Sequence, residues 1–224
     1  MKVVEEQVTS AYWEYVDIWA SGTRLTELSR IQAGIPMSTA DFDIPPVQLM
    51  FKIPEWKLAG LVTLLNGCIW ADEPTGPRAL APRTYPEGSE CIPPPGAEEG
   101  TTHFLLWKEC CLRAEKEYIS FAKKLGNIDM ATCFLPSSVA HIITVHARAD
   151  VAYQMIRCAM SYYAPPITQP LKPLFRELLI TANSFVPRLF GRLYERYILR
   201  PLQTEEEDDD AEMADEGEGE SAPV

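Results

Sequence analysis

Apolar positions recur at three- and four-residue spacing through most of this chain, and strand-like runs are confined to two short segments. Over residues 3–33, Val8, Tyr12, Tyr15, Val16, Trp19, Leu25, Leu28 and Ile31 follow the helical period. Ser21-Gly22-Thr23 interrupts them, so a second helix is expected, with Thr23 as its cap. Gly34, Pro36 and Asp43-Ile44-Pro45-Pro46 give residues 34–46 the composition of a loop. Val47–Ile53 reads as a strand. Pro54 opens a helix whose apolar face holds Trp56, Leu58, Leu61, Val62 and Leu65. Residues 71–100 are rich in Pro and Gly with little periodicity; a segment of that length in a compact domain is usually functional or mobile.

The second half repeats the theme. Residues 102–125 predict a long helix through Phe104, Leu105, Trp107, Cys111, Leu112, Tyr118 and Phe121, stopping near Gly126. Asp129 suits the cap of a short helix before Leu135-Pro136. The β-branched run His141–Val145 predicts a strand, and Asp150 a cap for a helix from Val151 to about Tyr163. Pro165, Pro166, Pro170 and Pro173 break the chain before a last helix from Leu174 to about Tyr197, bent at Pro187. The expected fold class is α+β, with long helices packed on a small mixed or antiparallel sheet. One domain is expected over residues 1–202, with a disordered acidic tail over 203–224.

Charge sharpens that division. The formal net charge is -12, but eleven of the 32 acids fall within residues 205–220. The remaining 21 nearly balance 20 Lys and Arg, leaving about -1 and no basic stripe for duplex nucleic acid. The tail reads as a solubilising segment or as a dock for a basic partner. The chain is 46% hydrophobic, enough for a packed core. No secretory signal and no 18-residue uncharged apolar run are seen, so a cytoplasmic protein with reduced thiols and no membrane span is expected.

Among the six cysteines there is no Cys-x-x-Cys, and they read mostly as core fillers, Cys68 being the one worth a chemical test. The tryptophans read mostly as helix-face core. His141 and His146, five apart on a strand, face opposite ways, and no Cys or carboxylate completes a metal set.

Candidate chemistry concentrates between Ala131 and Arg157. An Ala131-x-x-x-Leu135-Pro136 step precedes the β-rich run, then Thr144-x-x-Ala147-Arg148, then a helical segment carrying Arg157. That order describes a strand-to-helix element delivering polar side chains to a pocket. A guanidinium held by a helix suits bidentate contact with phosphate; the alternative is a solvated Arg on an amphipathic helix. In the Asp72–Arg83 loop, Glu73, Thr75, Arg78 and Arg83 form either a nucleotide rim or part of an exposed connector.

These residues resemble the C-terminal half of the flavin-dependent thymidylate synthases. There, Ala-Arg-x-x-Leu-Pro precedes a strand, Thr-x-Asn-x-Arg, and a helix whose Arg holds the nucleotide. Ala131, Leu135, Pro136, Thr144, Val145, Ala147, Arg148 and Arg157 match in order, and Ala114-Glu115-x-x-Tyr118 and Pro187-Arg188-Leu189-Phe190 are similar. The resemblance spans about residues 47–197, densely over 110–160. The family's Arg-His-Arg signature is absent: the equivalent stretch runs Leu65-Asn66-Gly67-Cys68-Ile69-Trp70. Asp72-Glu73-x-Thr75-Gly76-x-Arg78 is similar to a displaced remnant of the family's next motif, Asn-Glu-x-Ser-x-Arg-Tyr. His146 stands where the family has a strand-end Asn.

The resemblance implies transfer of a one-carbon unit from methylenetetrahydrofolate to C5 of dUMP or a related pyrimidine nucleotide. FAD would be the hydride carrier and NADPH a cosubstrate. It implies a homo-oligomer, such as a tetramer, with active sites between subunits. Arg157 would hold the phosphate, His146 and Arg148 would line the cofactor side, and Thr75 and Arg78 would come from a neighbouring subunit. Arg83, Arg78 and Lys57 are cations that could replace the missing flavin donors. The missing signature motivates an alternative: a catalytically degenerate paralogue acting as a nucleotide-binding or assembly module.

Overall fold

The computed structural model describes residues 1–35, 37, 43–68, 78–80, 90–125 and 131–201. In chain order the elements are β1 (Lys2–Val3), β2 (Gln7–Ala11), α1 (Trp13–Gly22), α2 (Leu25–Ala33), β3 (Pro46–Pro54) and α3 (Glu55–Gly67). Next come β4 (Arg78–Leu80), β5 (Glu90–Cys91), α4 (Thr102–Leu125) and β6 (Ala140–Arg148). The chain finishes with α5 (Ala149–Met160), α6 (Lys172–Phe185) and α7 (Pro187–Tyr194). Short 3-10 turns cover Thr132–Phe134 and Pro166–Leu171, and a π-helical turn covers Glu195–Leu199.

The main sheet has the order β2-β3-β6-β4 and is antiparallel throughout. Its spine is the β3–β6 ladder, running from Pro46 opposite Arg148 to Pro54 opposite Ala140. Because side chains alternate along a strand, this register sorts them by face. Val47, Leu49, Phe51, Ile53, Ile143, Val145 and Ala147 are buried, whereas Met50, Ile142 and His146 are exposed on the other face. Among the described residues, helices cover the buried face: Phe51 lies 5.5 Å from Phe175 of α6, and Trp13 of α1 meets Phe190 of α7 edge-on at 5.5 Å. A second, smaller cluster (Cys91, Cys111 and Val139, with Trp107 and Leu135 against it) anchors α4 away from this core. The architecture is α+β with a small antiparallel sheet, as the pattern predicts.

Several boundaries differ from the sequence reading, each for a local reason. Residues 7–11 form a strand, not the start of a helix. Pairing of Gln7–Ala11 with Lys52–Gln48 outweighs the helical period, and Tyr12, at φ 75, turns the chain into α1. Thr23 serves the end of α1, its hydroxyl donating to the Trp19 carbonyl at 2.7 Å, and α2 starts after Arg24. Asp150 does not cap α5, because its carboxylate is engaged by Arg148. That helix ends at Met160, where Ser161 is extended (φ -62, ψ 144). Pro187 separates two helices rather than bending one, with Val186 between them at φ -130, ψ 64. Val62 is 50% exposed and lies off the buried face of α3. Gly126, Asp129, Trp70 and the acidic tail fall outside the described residues.

Two close approaches hold the helical layer in place. A Cβ at Gly60 of α3 would collide with the backbone carbonyl oxygen of Ile167, so glycine lets α3 lie directly on the Pro166–Leu171 turn. At the β6–α5 junction, Arg148 donates through Nε and Nη2 to the two oxygens of Asp150 at 3.0 and 2.5 Å. Its Nη2 also reaches the Met37 carbonyl at 2.9 Å. The Asp150 side chain is 1% exposed and that of Arg148 12%.

Truncating one member of a buried ion pair is strongly destabilising. Asp150→Ala is expected to lower the unfolding free energy by about 3–5 kcal/mol in urea denaturation. A loss below about 1 kcal/mol, the value of an exposed pair, would show that the junction does not depend on it.

Candidate functional site

Strand β6 passes into α5 with no residue between them: Arg148 ends the strand, and the Ala149 amide donates to the Pro45 carbonyl at 3.0 Å. The register of β6 therefore fixes the rotation of α5. Residues Ala149–Ile156 are all buried, and only in the last turn does the helix emerge, with Arg157 half-buried and Cys158 exposed.

Arg157 emerges into a cleft of about 470 Å³, within the ~300–1,000 Å³ range of small-molecule sites. The ends of three helices wall it. Ala33 and Gly34 come from the end of α2, Gly67 and Cys68 from α3, and Gln154, Arg157 and Cys158 from α5. Ser161, Tyr163, Arg196 and Tyr197 complete the rim. Helix C-termini present unsatisfied carbonyls and partial negative charge, which favours cations beside them. Arg157 and Arg196 both lie there.

Gly34 explains how the guanidinium fits. It ends α2 in the left-handed region (φ 81); its amide donates to Ile31 O at 2.9 Å, and that of Ile35 to Arg30 O at 3.0 Å. This is the double closure that glycine permits at a helix end. A Cβ here would strike Arg157 Nη1 and lie 3.3 Å from Cζ and 3.4 Å from Gln154 Oε1. Gln154, buried, donates from Nε2 to Ile31 O at 2.8 Å, tying α5 to the same helix end. Among the described residues no carboxylate pairs with Arg157 and no hydrogen bond occupies its guanidinium. The Arg196 guanidinium stands 5.2 Å from the ring centroid of Tyr197.

Two thiols share the cleft. A hydrogen bond shared with Cys68 lowers the Cys158 pKa to about 7, against the opposing effect of burial and with help from the Arg157 charge. The same hydrogen bond, together with burial, drives the Cys68 pKa upward. One turn before Arg157, burial pushes the Tyr153 hydroxyl up to about 12.

The expected site residues do not gather in one chain's cleft. Arg157 is in its wall; His146 and Arg148 are not. His146 sits exposed on the sheet face opposite the one that the described helices cover, its backbone between Gln48 on β3 and Arg78 on β4. Arg148 is engaged inside the protein by Asp150 and Met37. Lys57 is paired with Glu6 at 2.6 Å. Thr75 and Arg83 lie outside the described residues. Gly34, Gln154, Cys158, Tyr163 and Arg196 were not singled out by sequence reasoning as parts of a site. Two carried a signal: Gly34 comes just after the last apolar position of α2, and Arg196 belongs to a series at 188, 192, 196 and 200.

No family model matches the chain, and no curated protein matches it in sequence. Its fold is similar to crystal structures of PolB, a UMP/dUMP methylase from Streptomyces cacaoi. For the structure with 5-Br UMP the TM-score is 0.57 at 11% identity, covering 85% of this chain and 95% of that one. For the structure with 5-Br dUMP it is 0.58 at 10% identity, covering 85% and 96%. At such identity the likeness is one of fold.

Gly34→Ala tests the wall. A left-handed backbone costs an L-residue about 1–2 kcal/mol, and the flexible guanidinium gives way to the new methyl group. The unfolding free energy is expected to fall by about that amount in urea denaturation. No change would mean that Gly34 does not hold the left-handed turn that ends α2.

Proposed function

We propose that this protein binds a pyrimidine nucleoside monophosphate of the UMP/dUMP kind in the Arg157 cleft and acts in methylation at C5 of the base. The observation that supports this reading best is the Arg157 guanidinium, unpaired among the described residues, in a cleft of nucleotide size. The fold likeness to a protein described as a UMP/dUMP methylase points the same way. Arg157, with Arg196 in the lining of the same cleft, suits a phosphate dianion. The Gln154 amide oxygen and the carbonyls at the helix ends are acceptors suited to the N3–H of uracil and to sugar hydroxyls. Tyr163, 91% exposed at the rim, offers a ring face on which a base could stack.

The finer reading rests on the resemblance: methylenetetrahydrofolate as one-carbon donor, FAD as hydride carrier, NADPH as cosubstrate, and a homo-oligomer whose neighbouring subunit adds Thr75 and Arg78. The described residues do not by themselves fit a flavin. His146 is exposed on the other sheet face, Arg148 is already held by Asp150, and the Arg-His-Arg run is missing from the sequence. The reading therefore assigns this chain's residues to binding and orienting the nucleotide and routes no hydride through a cofactor. The missing signature favours a second reading, a nucleotide-binding or assembly module without turnover.

Calorimetric titration with UMP and dUMP tests the proposal. Arg157→Ala is expected to weaken binding by about 1.5–3 kcal/mol, the range for a hydrogen bond to a charged group. Wild-type protein that binds neither nucleotide, or a variant that binds both unchanged, would overturn it. A purified protein that is yellow and methylates dUMP favours the enzyme. One that binds the nucleotide yet stays colourless after incubation with FAD favours the module.

A further inference from the structure

Six free cysteines are present, and the structure brings four of them together as two pairs of opposite character. Cys91 and Cys111 meet in the small cluster beneath α4, at 1% and 2% exposure, closed to any solute. Cys68 and Cys158 meet in the wall of the 470 Å³ cleft. There Cys68 is buried at the end of α3, and Cys158 is exposed in the last turn of α5. A solute entering the cleft therefore reaches Cys158 first and finds Cys68 behind it.

We infer that Cys158 and Cys68 form a peroxide-responsive thiol pair, with Cys158 as the attacking sulfur and Cys68 as the resolving one. Two features of the geometry support this division, and one opposes it. The two cysteines are hydrogen-bonded neighbours in the same wall, Cys158 the exposed member and Cys68 the buried one, so an incoming oxidant meets the outer sulfur first. Arg157, adjacent in sequence and in the same wall, supplies positive charge. Cys158 stands at the C-terminus of α5, where the helix dipole disfavours an anion, so the thiolate depends on these two neighbours.

The chemistry balances. The Cys158 thiolate attacks one peroxide oxygen; an S–O bond forms, the O–O bond breaks, and hydroxide leaves and is protonated to water. Cys158 is thereby oxidised by two electrons to a sulfenic acid. The Cys68 sulfur then attacks the Cys158 sulfur, the S–S bond forms, the S–O bond breaks, and the hydroxyl departs as water with the Cys68 proton. One peroxide and two thiols give one disulfide and two waters. The product ties the end of α3 to the end of α5 beside Arg157. The thiol chemistry requires the cleft but not the nucleotide reading, and it is tested without nucleotide.

The full-length reduced protein is labelled with iodoacetamide across a pH series and, separately, treated with one equivalent of hydrogen peroxide. Labelling of Cys158 is expected to titrate with its midpoint near 7, ahead of the exposed Cys110 and Cys133. Peroxide is expected to lower the intact mass by two hydrogens, and peptide mapping to find Cys68 linked to Cys158. In Cys68→Ala, losing that hydrogen bond should slow Cys158 labelling at neutral pH about tenfold, and peroxide should carry Cys158 on to the sulfinic acid. The proposal is overturned if Cys158 labels no faster than Cys110 and Cys133. It is equally overturned if peroxide links Cys91 to Cys111 first, or yields dimers bridged through Cys158. Because the wild-type mapping decides the linkage, a Cys68→Ala variant that fails to fold leaves the test intact.

Discussion

Everything at the cleft depends on a junction without a linker. β3 holds β6 in a fixed register, and β6 becomes α5 at Arg148–Ala149. A one-residue slip of β6 would turn its buried side chains outward and rotate α5 with them. The Arg148–Asp150 clasp and the Ala149 amide on Pro45 resist that slip from the helix side. Nine residues beyond Arg148, the position of Arg157 is therefore set by strand pairing rather than by a loop. Gln154, bound to the end of α2, fixes the same helix a second time.

The cleft is built from helix ends of one polarity. The C-termini of α2, α3 and α5 converge there, and backbone carbonyls would repel an anion were nothing placed between. Two arginines change the sign. Such a site holds cations well when empty and admits an anion only where a guanidinium stands in front of the carbonyls. A nucleotide suits that division, because it is anionic at one end and offers N–H and O–H donors at the other. The same carbonyls limit the thiolate of Cys158, which draws its stabilisation from a thiol and a guanidinium instead. Arg157 thus stands beside the Cys158 sulfur and, on the proposed reading, beside the phosphate of the ligand, two anions that draw on the same guanidinium.

Much of the frame was legible because periodicity reports burial. Pro46–Pro54, Thr102–Leu125 and Ala140–Arg148 appear near the boundaries that the pattern of β-branched and apolar residues predicts. Gln7–Ala11 did not, because a five-residue strand beside a helix shares its apolar positions with a helical frame, and only the partner strand decides. Of the site, Arg157 was legible from its spacing after Arg148. Gly34, Gln154 and Arg196 were not, because their role arises from three helix ends meeting across more than 100 residues of sequence, which no local window contains. The engagement of Arg148 by Asp150 was also hidden, since a residue two positions on reads first as a helix cap.

The charge distribution bears on what the cleft can attract. The whole chain carries a formal -12, nearly all of it in the run 205–220, close in sequence to Arg200. A phosphate approaching the protein is therefore repelled by the molecule as a whole and attracted only locally, by Arg157 and Arg196. At physiological ionic strength the Debye length is about 8 Å. Repulsion from the acidic run is screened beyond that distance, whereas the half-buried Arg157 acts within it, with the exposed Arg196 beside the same cleft. Salt should consequently weaken the encounter less than it does for a protein with a basic surface, since it removes an unfavourable long-range field along with a favourable short-range one. An anion site in an acidic protein must be short-ranged and geometric, and the placement of Arg157 on a helix fixed by a strand has that character.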